Sequence, residues 1–264
     1  NWEREMHALN EQAPTILRAN TLKTTAKELI SDLKDEYVES FQIKNYPDAI
    51  QLEEKKNVFL TSAFKDGLFE VQDASSQKIG ELLDVQEGMR VVDACAGAGG
   101  KTLHLAALMK NKGQIIALDI YEWKLAELKR RAKRAGAHNI ETRFIEDNKV
   151  IKRLHEKADR LLIDAPCSGL GVLKRNPDSK WKIDQDFIDR IKNEQQQILQ
   201  DYSKMLKKGG KMVYATCSIL PSENNEQVET FLKNNEGFTL LKEEKVMPSD
   251  GFDGFYMALI QRNA

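Results

Sequence analysis

Apolar positions in this chain follow two regimes. Up to about residue 70 they come in short clusters: Ile16 to Leu22 reads as a strand, with further runs at Tyr37 to Ile43, Ala49 to Leu52 and Val58 to Phe64. Leu29, Ile30 and Leu33 recur at helical spacing behind Thr25-Ala26-Lys27-Glu28, whose threonine and glutamate stand three apart as in a capping box. Lys65-Asp66-Gly67 then turns the chain into Leu68 to Val71, and a helix over Ala74 to Leu83 ends near Glu87-Gly88. A small α/β unit is expected.

From Met89 onward β-branched runs alternate with longer amphipathic stretches. Strands are expected at Arg90 to Ala94, Gln114 to Leu118, Ile140 to Ile145, Arg160 to Ile163 and Lys211 to Ala215. Helices are expected at Thr102 to Lys110, Glu122 to Gly136, Asp184 to Leu206 and Ser222 to Asn234. This alternation predicts a mostly parallel, doubly wound α/β sheet, and Phe238 to Leu241 with Phe255 to Ile260 predict an antiparallel edge.

Length and charge sharpen the picture. A chain of 264 residues, 41% hydrophobic, supports one main domain plus an appendage, which the change of pattern divides into residues 1–72 and 73–264. Forty Lys+Arg against 41 Asp+Glu leave a net charge of -1, so a polyanion would need a local basic patch. No apolar run approaches the roughly 18 residues that span a bilayer, and the start does not read as a signal peptide, so a cytoplasmic protein without a membrane partner is expected. Cys95, Cys167 and Cys217 are too scattered for a disulfide framework or a zinc site, and no metal is expected.

The stretch from Val91 to Thr102 reads as strand, glycine-rich turn and helix start, the turn being Cys95, Ala96, Gly97, Ala98, Gly99, Gly100 and Lys101. Glycines there permit positive φ and let backbone N–H groups approach a ligand. A dinucleotide fingerprint needs a third glycine where Thr102 stands, and a P-loop needs a longer spacing before its lysine. An acid at the strand end followed by Gly-x-Gly suits S-adenosylmethionine, its amino-acid end meeting backbone beside Asp93 and Lys101. Asp119 ends the next strand, where a carboxylate can accept from ribose hydroxyls, and Asp147 trails the following one, placed for an adenine amino group. The plain alternative for each aspartate is a helix N-cap or a solvated loop residue.

Asp164-Ala165-Pro166-Cys167-Ser168-Gly169 and Ala215-Thr216-Cys217-Ser218 close two further strands, and in an open α/β sheet the ligand crevice lies at such carboxyl ends. A lone cysteine there is usually a small core hydrophobe, and Cys95 is read so. Two thiols with a methyl donor suggest alkylation of a pyrimidine at C5, whose carbon is too electron-poor to attack a sulfonium methyl unaided. A thiolate adds to C6, C5 takes the methyl group, and loss of the C5 proton expels the thiol. Asp164 would pair with the base, while Lys101 and a helix opening at Ser222 would favour a thiolate. This chemistry leaves open which cysteine attacks.

These residues resemble the RsmB/Sun (NOL/NOP-Sun) family of RNA cytosine-C5 methyltransferases. The likeness runs through Leu17 to Leu22, Gly67 to Asp73, Asp93 to Thr102, both cysteine motifs, Arg175-Asn176-Pro177-Asp178-Ser179-Lys180-Trp181, and Glu223-Asn224. It implies a Rossmann-like class I S-adenosylmethionine-dependent fold, with Cys217 as nucleophile and Cys167 helping release the methylated RNA. Cys95 to Lys101, Asp119, Asp147 and Asp164 would line the cofactor site. The Arg175 to Trp181 segment looks most like the branch acting on small-subunit ribosomal RNA, whose NusB-like N-terminal domain has no counterpart in these 264 residues. Where the family has Ala-Ala-Pro-Gly-Gly-Lys, this chain has Ala96-Gly97-Ala98-Gly99-Gly100-Lys101, and losing the proline predicts a more flexible loop.

An extruded cytosine requires single-stranded or loosely paired RNA. Its local grip is expected from Lys174, Arg175, Lys180 and Lys182, with Trp181 stacking or packing, and from Arg18 and Asn20 in the small unit. Lys124, Lys129, Arg130, Arg131, Lys133 and Arg134 form a second basic stretch that reads first as a solvated helix face. The alternatives are a catalytically silent RNA-binding ribosome-assembly factor and a nicotinamide-dependent dehydrogenase, the latter disfavoured by Thr102.

Overall fold

The computed structural model describes residues 2–264. In chain order the elements are α1 (Trp2–Leu9), β1 (Ile16–Ala19), α2 (Ala26–Asp35), β2 (Ser40–Gln42), β3 (Ala49–Leu52), α3 (Ser62–Lys65), β4 (Phe69–Val71) and α4 (Ala74–Leu83). There follow β5 (Arg90–Asp93), α5 (Gly100–Leu108), β6 (Gln114–Asp119), α6 (Glu122–Ala135), β7 (Ile140–Phe144), α7 (Asn148–Lys152) and β8 (Ala158–Asp164). The last are α8 (Gln185–Tyr202), β9 (Leu206–Thr216), α9 (Asn225–Asn234), β10 (Phe238–Val246) and β11 (Phe255–Arg262). These fold as two compact units that interleave along the sequence.

One unit comprises residues 14–89 and 96–144. It holds an antiparallel sheet in the order β2-β3-β1-β4 and the parallel pair β6-β7. The expected capping box starts α2: Thr25 Oγ1 accepts from the Glu28 N–H, and the Glu28 carboxylate accepts from the Thr25 N–H. Leu29 and Leu33, one turn apart, bury against Leu17, Ile50 and Phe69 of the sheet. Strand β1 stops at Ala19, three residues short of the expected end. The Asn20 carbonyl there accepts from Lys23 and Thr24 N–H, and the turn breaks the pairing.

The other unit comprises residues up to 13, 90–95 and 145–264. Its strands run β10-β11-β9-β8-β5, with β5, β8 and β9 parallel and β9, β11 and β10 antiparallel. The mixed edge expected from the sequence is present. Strand β9 begins five residues before the expected Lys211, because Leu206 aligns with Ala158 at the start of β8 and the chain is paired from there. Helix α8 accordingly ends at Tyr202 in a short 3-10 turn, Ser203–Met205. Helix α9 begins at Asn225, after a 3-10 turn at Pro221–Glu223, so no α-helix opens at Ser222 beside Cys217.

Candidate active site

In the first unit the glycine turn connects to α5 and is tied to β6. The Ala96 N–H donates to the Leu118 carbonyl at 2.8 Å, and the Gly97 N–H donates to Asp119 Oδ2 at 2.8 Å. Asp119 Oδ1 accepts from the Tyr121 N–H at 2.8 Å. Gly99 takes φ +89° at the head of α5, and a Cβ there would lie 2.5 Å from Leu128 Cγ of α6, so both conformation and close packing demand glycine.

Two arginines hold this turn. Arg131 Nη1 donates to the Ala98 carbonyl at 2.8 Å, and Arg18 Nη1 donates to the Gly100 carbonyl at 2.7 Å and to Gln72. Glu70, buried on β4, accepts from Arg131 at 2.8 Å and from Arg134 at 2.5 Å. Burial lowers the Arg18 pKa to about 10, which still leaves the guanidinium charged near neutral pH. The flexible turn expected from the missing proline is therefore braced from behind at residues 98 and 100.

The same network corrects the expected RNA grip. Arg18 is 2% exposed, and Asn20 is buried with its amide donating to the carbonyls of Gly67 and Ala135. Arg131 and Arg134 point to Glu70 rather than outward. Lys129, Arg130 and Lys133 do form an exposed face of α6. A residue reading cannot separate such inward arginines from their exposed neighbours, since all lie on one basic helix.

In the second unit β8 ends at Asp164, whose register partner is Ala215 of β9, and a cysteine turn follows each strand. The two sulfurs are 3.3 Å apart, within contact of one another. The hydrogen bond with Cys217, burial, and the nearby Cys217 and Glu223 charges push the Cys167 thiol well up. The Gly171 N–H donates to the Cys217 carbonyl at 2.9 Å, and the Gly171 carbonyl accepts from the Gly254 N–H at 2.8 Å. A Cβ at Gly171 would collide with the Gly254 carbonyl and lie 2.8 Å from that of Cys217.

Beneath the thiols lies a polar cluster built on Glu223, which is 0% exposed. Its carboxylate accepts from the Ser168 N–H at 2.7 Å, Ser168 Oγ at 2.5 Å, Ser218 Oγ at 2.6 Å and Gln195 Nε2 at 3.1 Å. Gln195 of α8 also donates to the Pro166 carbonyl at 2.9 Å, and Asn224 bonds Thr216 Oγ1 and the Ser218 carbonyl. Glu223 and Asn224 belong to the sequence resemblance, which attaches no role to them. An acid six residues after Cys217, just ahead of a helix, was the available signal.

The remaining site residues fall as follows. Asp93 ends β5 and is buried, Cys95 is half-buried after it, and Lys101 sits in the first turn of α5. Asp147 caps α7, accepting from the Lys149 N–H at 2.8 Å and pairing with Lys149 Nζ at 3.4 Å. Of the four basic residues after the Cys167 turn, Lys174 is inward and donates to the Phe252 carbonyl, while Arg175 pairs with Asp253 at 2.6 Å. They fasten the Phe252–Asp253 bend rather than offering a free grip. Lys182 is exposed, and Trp181 is 81% exposed with Lys180 Nζ 5.1 Å from its ring centroid, so it does not serve as packing. Among the described residues no helix is long and apolar enough to cross a membrane, and no cluster of three or more acidic, histidine or cysteine side chains could hold a metal ion.

Residues 80–261 match the family model described as 16S rRNA methyltransferase RsmB/F, and residues 1–59 match the ferredoxin-like domain of RsmF/B-like proteins. The chain belongs to the RsmB/F methyltransferase family. It is 35% identical over 264 residues to ribosomal RNA small subunit methyltransferase B of Proteus mirabilis, covering 99% of this chain and 62% of that protein. The chain thus spans less than two thirds of that relative's length. The crystal structure of PH0851 superposes with a TM-score of 0.94 at 32% identity, covering 98% of this chain and 62% of that one. A methyltransferase homolog from Pyrococcus horikoshii gives 0.87 at 28% identity, covering 99% and 90%. The Rossmann-like methyltransferase fold expected from the sequence is the fold of this RsmB/F family member, and the small N-terminal α/β unit expected beside it matches a ferredoxin-like domain.

Proposed function

We propose that this chain transfers a methyl group from S-adenosylmethionine to C5 of a cytosine in RNA, with small-subunit ribosomal RNA as substrate. The observation that carries the reading is the pair of thiols 3.3 Å apart at the ends of neighbouring parallel strands. Family membership supports the substrate class.

The residues present fit the cofactor. Each Asp119 oxygen accepts one backbone N–H and so retains a lone pair for a ribose hydroxyl, and a Cβ built on Gly97 meets nothing within 4 Å, leaving room beside the turn. The turn from Ala96 to Lys101 would hold the amino-acid end, with Asp119 on the ribose; Cys95, Asp147 and Asp164 are the further cofactor residues that the family resemblance implies. When bound, S-adenosylmethionine supplies an electrophilic methyl group on a sulfonium.

Cys217 Sγ adds as thiolate to C6 of the cytosine, which pushes electron density onto C5, while Asp164 pairs with the base edge and stabilises the adduct. After C5 is methylated, a base takes the C5 proton, the C6–S bond breaks, and its electron pair returns to Cys217. Cys167 keeps a proton within contact of the departing sulfur and hydrogen-bonds the thiolate as it forms.

The test is incubation with methyl-labelled S-adenosylmethionine and unmodified small-subunit ribosomal RNA, followed by digestion to nucleosides. Label is expected in 5-methylcytidine. Label in any other nucleoside, or RNA binding with no transfer, overturns the reading.

A further inference from the structure

Glu223 is buried and accepts four hydrogen bonds, from Ser168, Ser218 and Gln195, none of which has a role in the reaction above. Its bonds fall on both cysteine turns. Ser168, which directly follows Cys167, gives it two of them, and Ser218, which directly follows Cys217, gives a third. The two hydroxyls also meet each other at 3.2 Å. Gln195 adds the fourth bond and grips the carbonyl of Pro166, the residue ahead of Cys167. A carboxylate satisfied this fully is fixed in place, because moving it would strand several buried donors at once.

We propose that Glu223 is a positioning residue for the two-thiol chemistry, its buried carboxylate fastening the Cys167 turn to the Cys217 turn and setting a negative charge behind Cys167. The inference rests on the methyltransferase reading for its purpose, but the geometry behind it is independent of any substrate. The strands alone align Asp164 with Ala215, leaving two turns beyond the last paired residues. Serine, glutamate and glutamine side chains supply the ties that backbone pairing no longer provides. The same charge disfavours a thiolate at Cys167. The titratable groups that act on Cys167 are Cys217 and Glu223; it acts in turn on the Tyr214 phenol, which burial and the charges of Cys167, Glu223, Tyr256 and Cys95 push well up and whose hydroxyl donates to the Glu223 carbonyl at 2.8 Å.

The test follows alkylation of each cysteine by iodoacetamide against pH, with peptide masses assigning the site and no RNA present. In Glu223→Gln the onset of Cys167 alkylation is expected to move to lower pH by about one unit, the size of a neighbouring charge's effect, and Glu223→Asp is expected to recover part of that shift. An unchanged Cys167 profile in a folded Glu223→Gln protein overturns the proposal. Should that variant fail to fold, Ser168→Ala combined with Ser218→Ala keeps the charge and removes the hydroxyl ties. Diamide oxidation, in which the two thiols lose two hydrogens to the reagent's N=N bond and form one S–S bond, is then expected to close the pair at least tenfold more slowly than in the parent. Closure at the parental rate overturns the proposal. Failure of methyl transfer by the unaltered chain, with these thiol readouts as expected, would instead count against the methyltransferase reading alone.

Discussion

Cys217→Ala is expected to abolish methyl transfer, with a loss of about 10³-fold or more, and to form no covalent species with RNA. Cys167→Ala is expected to do something different: the protein should react once and stay joined to its RNA. The difference comes from the geometry of the pair. Removing Cys217 removes the sulfur that activates C5, and the sulfur that remains beside it is the Cys167 thiol, whose pKa is pushed well up. Removing Cys167 leaves that sulfur in place but deletes the thiol 3.3 Å away that would donate a hydrogen bond to the leaving thiolate. Denaturing gel electrophoresis with labelled RNA separates the outcomes, since only the Cys167→Ala protein should migrate with label. Turnover by Cys217→Ala, or an adduct that forms equally in both variants, would reverse or remove the assignment.

Glu70→Ala is expected to destabilise the chain by about 3 kcal/mol and to weaken S-adenosylmethionine binding together with it. The carboxylate sits between two guanidiniums whose side chains are about one fifth exposed, while its own is 5% exposed. Truncating it leaves Arg131 and Arg134 short of their counter-charge and unties Arg131, which also grips the Ala98 carbonyl. For a chain of this size, a loss of about 3 kcal/mol lowers Tm by roughly 6–12 °C. Thermal unfolding with and without cofactor gives both quantities. A variant with unchanged Tm would show that the buried ion pairs contribute no net stability, and one with lowered Tm but unchanged cofactor affinity would show that the glycine turn holds its shape without the arginines.

The elements with strong local signals were legible in the sequence. The capping box at Thr25, the helix over Ala74–Leu83 and the alternation after Met89 each follow from side-chain periodicity and cap chemistry, and each is present. Boundaries set by a partner were not legible. Strand β9 reaches back to Leu206 because β8 is there to pair with it, and α8 gives way at Tyr202 for the same reason. The cysteines are legible because Cys167 and Cys217 each follow a strand end, whereas the part Glu223 plays depends on Ser168, 55 positions away, and is not. Basic residues were hardest to sort. Arg18, Arg131, Arg134, Lys174 and Arg175 carry the charge an RNA site needs, but all five are spent on carbonyls and carboxylates within the protein, a choice visible only once their partners are in place. Lys180, Trp181 and Lys182 remain outward after the Cys167 turn, and any grip on RNA by that segment falls to them.

The central claim is that Cys217 forms a bond to C6 of a cytosine on the way to methylating C5. An RNA carrying 5-fluorocytidine tests it most directly, because fluorine at C5 cannot leave as a proton does and the adduct is trapped after methylation. The account predicts a stable protein–RNA species that requires S-adenosylmethionine and whose cross-linked peptide contains Cys217. Absence of any adduct, or a cross-link carried by Cys167, would contradict it.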